Sequence, residues 1–482
     1  MDPAGPDGTD DASAPVGRGV PAFAVGIAVA LVVRAMHGWS RNGADPLVWN
    51  DTADYVASSK LPLWSVDRWL GERPPLMPLV LSAAGGSFGR FVTIQTVISA
   101  LAWGVLGWAV AAAVRPTWRR LVAGGGVVLL ALVWPVAMWD QQVLTESLAL
   151  SGLALVAAAA VRTAAGVTPL RVAGLIGACA WWLAVRDSHL VPVGCGALVL
   201  AIAAWRGWLR PRGDALAASA FLLALVVLVL GAAGAGDRDR LPLEHVYAAR
   251  VLPYADRVEW FADHGMPDAH ALEAIPEATS PGRAPFTPVP PVAQWARWRA
   301  WLAADGRATL LRYALTHPTY LVREPMRDPE RVFNNAGGLR GYEPLTLRRV
   351  TPADRIADPA TWVALAIGLA GAALAWLRRV LATPLAAAGL VIAATAAPHA
   401  LVVWHSDGME SARHLLIPGI QLRLGVLLVV LAALVAERTP AAAVAGPETR
   451  EPELDEPEAV EPEAVEPERK EPAAAAPEPA SD

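Results

Sequence analysis

The sequence predicts an all-α integral membrane protein with about ten transmembrane helices. Three observations carry this. Hydrophobic residues make up 54% of the 482 residues and charged residues 18%, against roughly 25% charged in soluble domains. The apolar residues fall in blocks of about 17 to 25, the length that crosses a bilayer. The charges between blocks are sorted by side. A soluble multidomain enzyme is excluded, and two cysteines exclude a disulfide scaffold.

Residues 1–19 are acidic and rich in Pro, Gly and Asp. They lack the basic stretch of a cleaved signal, so they read as a disordered cytoplasmic N-terminus before an uncleaved first span. Spans are expected at 20–36, 90–114, 121–138, 143–162, 170–185, 189–205 and 215–235, a seven-span module over 20–235 that includes an outer loop at 37–89. An extracytoplasmic segment, 236–359, follows. Three further spans are expected within 360–436, at 360–377, 384–403 and 414–436. Leu76–Phe88 is short and contains Gly85-Gly86, so it reads as interfacial or re-entrant. In the outer segment a helix is expected over Pro291–Leu311, with Trp295, Trp298 and Trp301 at helical spacing for packing or interface anchoring. Residues 437–482 repeat Glu-Pro-Glu pentads from Glu456. Proline every fifth residue and mutual repulsion predict a disordered acidic cytoplasmic tail.

The net charge of −5 averages unlike parts: −10 over 439–482, −3 over 1–19 and +8 in the body. One set of tight loops carries Arg115, Arg119, Arg120, Arg162, Arg171, Arg206, Arg210, Arg212, Arg378 and Arg379, whereas the opposite turns carry Arg186 and Arg413. The positive-inside rule makes the first set cytoplasmic, in the plasma membrane, with both termini on that side. All nine histidines then fall outside or at outer helix ends, which places any chemistry on the extracytoplasmic face.

Four outer clusters hold the ionisable residues: Asp51 and Asp54, followed by Arg73; Asp140-Gln141-Gln142 with Thr145-Glu146; Arg186-Asp187-Ser188-His189; and His405 to His414, including Asp407, Glu410 and Arg413. Glu146 sits about one turn inside an apolar block, where an unpaired carboxylate is expensive, so it calls for a cation. Arg186 and Arg413 are available. One of Asp51 and Asp54 is a candidate general base, and the two share a face if helical. His189 and His405 complete the candidate substrate-binding set. No Cys/His metal spacing, phosphate loop or Ser-His-Asp set is present; a divalent metal is left open without being signalled. Cys179 and Cys195 read as buried free thiols.

Asp51-x-x-x-Tyr55, then Arg73-Pro-Pro-Leu-Met-Pro-Leu79, Thr145-Glu146, Arg186 and Gly306…Tyr313…His317-Pro318 resemble the GT-C superfamily of multi-pass membrane glycosyltransferases. Within it, the nearest groups are bacterial relatives of protein mannosyltransferases and lipid A sugar transferases. The resemblance implies a polyprenyl-phosphate-linked sugar donor and transfer outside the membrane to a glycan, lipid or protein acceptor. It implies Asp51, or less directly Asp54, as catalytic base, with Arg73, Arg186 and Arg413 for the donor phosphate. The partners are then donor, acceptor and lipid bilayer, with no nucleic acid. A non-catalytic scaffold acting through its acidic tail, and a lipid or sugar transporter, are the competing readings.

Overall fold

The computed structural model describes residues 45–49, 51–115, 117–238, 240–273, 292–327, 360–408 and 411–435, with Val32, Met36 and Val332. The first expected span apart from Val32 and Met36, the Glu/Pro tail and Glu410 lie outside the described residues. Among the described residues there is no strand, only a parallel bridge between Leu47 and Gln142.

The helices run in order α1 (Thr52–Ser59), α2 (Val66–Leu70), α3 (Leu76–Ala83), α4 (Phe88–Ala112), α5 (Thr117–Leu132), α6 (Glu146–Ala164), α7 (Pro169–Val185), α8 (Leu190–Trp205) and α9 (Arg212–Ala235). The segment 236–359, expected to be the outer one, supplies α10 (Arg240–Arg250), α11 (Ala255–Asp263), α12 (Val292–Trp301), α13 (Arg307–Thr316) and α14 (Pro318–Met326). The chain closes with α15 (Thr361–Leu377), α16 (Pro384–Ser406) and α17 (Leu416–Val435). Local signals set several starts. Thr168-Pro169 and Thr383-Pro384 each open a helix, the Thr hydroxyl accepting from Arg171 N or Ala386 N and the Pro needing no amide partner.

Among the described residues six helices are long and apolar enough to cross a membrane: α4, α6, Asp187–Trp205 containing α8, α9, α16 and α17. The block expected as one span at 121–138 is instead broken. Its parts, Thr117–Leu132 and Pro135–Gln141, meet at 64°, and counting them as one span gives seven. The proline cannot donate to the preceding turn, which frees the chain to bend there. At 17 residues each, α7 and α15 are shorter apolar helices. With eight residues, α3 is about 12 Å long. It ends at Gly85 and Gly86, whose φ values of 62° and 74° need glycine.

The central helix is α17, 89% buried over its apolar window, whereas α9 is 22% buried and leaves its apolar surface outward. Backbone contact joins α16 to α17. A Cβ on Gly425 would lie 2.5 Å from Ala393 N, and one on Gly389 2.8 Å from Gly425 O. Small residues permit this approach, which suits association where lipid gives little hydrophobic drive.

The outer segment has its own aromatic core of Tyr247, Phe261, Trp298, Tyr313 and Tyr320. Trp298 is buried there, its ring 6.3 Å from Tyr247, so it packs. The helix expected over Pro291–Leu311 is divided by a π-turn at Leu302–Gly306. Tyr247 donates to the Gly306 carbonyl at 2.8 Å, supplying a partner where the regular ladder is interrupted. Buried Glu324 draws in Arg250 at 3.8 Å, Arg257, and Arg327 at 3.4 Å. Arg250 also donates to the Asp407 carbonyl at 3.1 Å and stands over the Trp404 ring. Gly408 lies so close to α10 that a Cβ would meet His245 O at 2.0 Å. These contacts pin the outer segment to the α16–α17 turn.

Candidate functional site

Backbone pairing brings the first outer cluster to the second. Leu47 N donates to Gln141 O at 3.0 Å and Val143 N to Leu47 O at 2.9 Å. Thr52 Oγ1 donates to Val143 O at 3.0 Å. From α4, the Gln95 amide holds the same turn through the carbonyls of Asp140 (2.8 Å) and Gln142 (2.7 Å). Asp140, Gln141 and Gln142 are all buried, so this is an interior turn. Asp51 at the head of α1 is thereby set beside Glu146 at the head of α6.

Both helix heads depart from ordinary capping. Asp51 and Thr145 occupy N-cap positions of types that usually accept a backbone N–H, yet neither side chain makes a cap bond. Asp51 turns to Arg413, whose Nη2 donates to Oδ2 at 2.7 Å. Thr145 Oγ1 accepts from Arg186 Nε at 2.7 Å.

The result is one chain of alternating charge. Asp54 pairs with Arg73, and Arg73 lies 3.9 Å from Asp51 Oδ1. Asp51 pairs with Arg413, Arg413 Nε lies 3.3 Å from Glu146 Oε1, and Glu146 pairs with Arg186. The depth of Glu146 called for a cation, and both candidates, Arg186 and Arg413, reach it. Side-chain exposure is lowest in the middle, 0% at Glu146 and 4% at Arg413, and rises to 12% at Arg186 on one side and to 28% at Asp51 and 56% at Asp54 on the other. The Asp54 end is the open one.

The electrostatics follow from this placement. Burial pushes the Asp51 carboxyl up, but Arg413, through its charge and hydrogen bond, and Arg73 together outweigh it, so the carboxyl sits below its ordinary value. Burial raises the Tyr55 phenol, although Arg73, which stands 5.2 Å over the ring, pulls it down. Arg413 Nη2 lies 3.2 Å from His414 Nε2. Guanidinium only donates, so this nitrogen accepts and Nδ1 carries the proton toward its partner Asp407. Burial lowers the nearby His245 imidazole, opposed by Asp407 and Asp51.

Asp51, Asp54, Arg73, Glu146, Arg186 and Arg413 therefore stand together. The other two candidates lie apart. His189 is fully buried, stacked on Trp182 at 4.4 Å between centroids, with Nδ1 2.7 Å from Trp182 O. Its ring meets His399, which bonds Gln421 at 2.8 Å. His405 faces the outer segment, its Nε2 3.0 Å from Leu321 O. Sequence reasoning did not single out Tyr55, or the Asp407–His414 pair, as site members. Cys179 and Cys195 are free, the first buried and the second half-buried. Among the described residues no group of three or more His, Cys, Asp or Glu is placed to hold a metal. Chemically, the open end offers guanidinium groups to an anion and a carboxylate to a proton. Neither the known protein-family models nor the curated proteins match the chain.

Proposed function

We propose that the protein is a membrane glycosyltransferase that moves a sugar from a polyprenyl-phosphate carrier to a hydroxyl-bearing glycan, lipid or protein outside the membrane. The observation that supports it is the ion chain: two partly open members, Asp51 and Arg73, backed by buried Arg413 and Glu146, with Arg186 pairing Glu146 from the other side. Guanidinium forks match phosphate oxygens, and a nearby carboxylate can take the acceptor's proton. The acceptor oxygen bonds to the anomeric carbon as the bond from that carbon to the phosphate oxygen breaks. The electron pair leaves with the polyprenyl phosphate, and the proton passes to Asp51. The ten-span arrangement in the plasma membrane, with cytoplasmic termini and an outer active face, belongs to the same proposal. Its support is the arginine asymmetry between loops.

Asp51→Asn in the full chain, reconstituted with a polyprenyl-phosphate sugar, is expected to lower transfer by about 10²–10⁴-fold without unfolding the protein. Full activity in a folded Asn variant would remove Asp51 as the base. A transporter is the second reading, favoured by His189, His399 and Gln421 buried within the spans. Sugar-lipid flux across vesicles by protein devoid of transfer would favour it.

A further inference from the structure

Each oxygen of Asp51 faces a different arginine: Oδ2 accepts from Arg413 at 2.7 Å, and Oδ1 lies 3.9 Å from Arg73. In this state the carboxylate is occupied on both sides. The two arginines are not equally fixed. Arg413 is buried and also held by Glu146, itself fully buried. Arg73 is 23% exposed, and its other partner, Asp54, is 56% exposed. An anion arriving from the open side therefore meets the Asp54–Arg73 pair and Asp51 first, with Arg413 behind them.

We infer that a lipid-borne phosphate and Asp51 compete for the same two guanidinium groups, so that Asp51 is free to accept a proton only once the donor is seated. This rests on the transferase reading and adds an order of events to it. A sugar-phosphate diester brings one negative charge and two unesterified oxygens, enough to engage both forks. Asp51 then loses two cations and gains an anionic neighbour, and both changes strengthen it as a base. The other groups around it do not reverse this. His414 is tied to Asp407, Asp54 lies beyond Arg73, and Glu146 lies beyond Arg413. His245 is kept toward its neutral form by burial, and the Tyr55 phenol is raised. Without a donor the base stays masked, so an acceptor that arrives first is not activated.

The test uses the full chain in lipid nanodiscs with ¹³C-labelled Asp carboxyls, the Asp51 signal being assigned by its loss in Asp51→Asn. Asp51 is titrated alone and with farnesyl phosphate, farnesol or inorganic phosphate, and retained radiolabelled farnesyl phosphate is counted separately. With farnesyl phosphate, Asp51 is expected to titrate roughly one to three pH units higher, and with farnesol unchanged. The same rise with inorganic phosphate assigns the competition to the phosphate alone; a rise only with farnesyl phosphate assigns it to a phosphate delivered by the lipid. In Arg73→Gln, Asp51 should start higher and move less. Retained farnesyl phosphate with an unmoved Asp51 overturns the inference and leaves the transferase reading in place. No retained ligand and an unmoved Asp51 overturn both.

Discussion

At one end of the helices Arg120 donates to the Val114 carbonyl at 3.0 Å and Arg171 to that of Gly166 at 2.8 Å. At the other end, about 30 Å away along α17, Arg186 and Arg413 turn to carboxylates, joined there by Arg73. The first set meets backbone oxygens at or near helix C-termini, which carry partial negative charge and need no acidic residue. The second set sits where helices α1 and α6 begin, an end already positive, and still recruits three acids. Two N-cap side chains there give up capping to do so. At Arg120 and Arg171 a backbone carbonyl takes the place of the carboxylate. The carboxylates are therefore what distinguishes a candidate site from a helix-end contact.

The sharpest way to break this comparison is Arg186→Ala. It strips Glu146 of its closest cation while the carboxylate stays buried, and a loss of roughly 3–5 kcal/mol is expected. Unfolding in mixed detergent micelles would show it. The double variant with Glu146→Ala should recover most of the loss, because no orphan charge remains; equal stability of all three proteins would show that the pair carries little energy.

A second test is pH. The folded Asp51 carboxyl lies below its reference value of 3.8. Its contribution is therefore fully present above about 4 and is lost as pH falls through the lowered folded value. Acid unfolding of wild type should steepen below about pH 4 relative to Asp51→Asn, with parallel curves from pH 5 to 8; divergence already at pH 6 would contradict the assignment. Arg73→Gln touches the open end, where solvent screens the pairs, and should cost at most about 1 kcal/mol. Smallest of all, Arg120→Ala at the opposite end should cost about 0.3–1 kcal/mol, the worth of one cation at a helix C-terminus. If its cost matched that of Arg186→Ala, the two ends would not differ in kind.

Much of this was legible in the chain. Apolar blocks mark α4, α6, α9, α16 and α17 because a helix with little polar surface can be satisfied only in lipid or core. The depth of Glu146 called for a cation, because a lone carboxylate there is costly. Other features were not legible. The apolar run through 121–138 hides a 64° break, since hydropathy averages over the Pro135 amide that is missing from the ladder. His189 sits in a polar-looking turn yet stacks on Trp182 seven residues before it, because the turn folds inward. His405 shares a cluster with Arg413, but it is the last turn of α16 that aims it, toward Leu321.

The sequence by itself determined where helices form, which loops carry bare arginine and which carry mixed charge. These depend on spacing and on the cost of desolvation, both local. Only the tertiary structure decided that Arg413 meets Asp51 across 362 residues, or that Arg186 and Arg413 both reach Glu146. An ion pair falls off with distance in space and is indifferent to distance along the chain. Its partners are settled only when the helices pack, here by the Leu47–Val143 pairing and the close approach of Gly389 and Gly425.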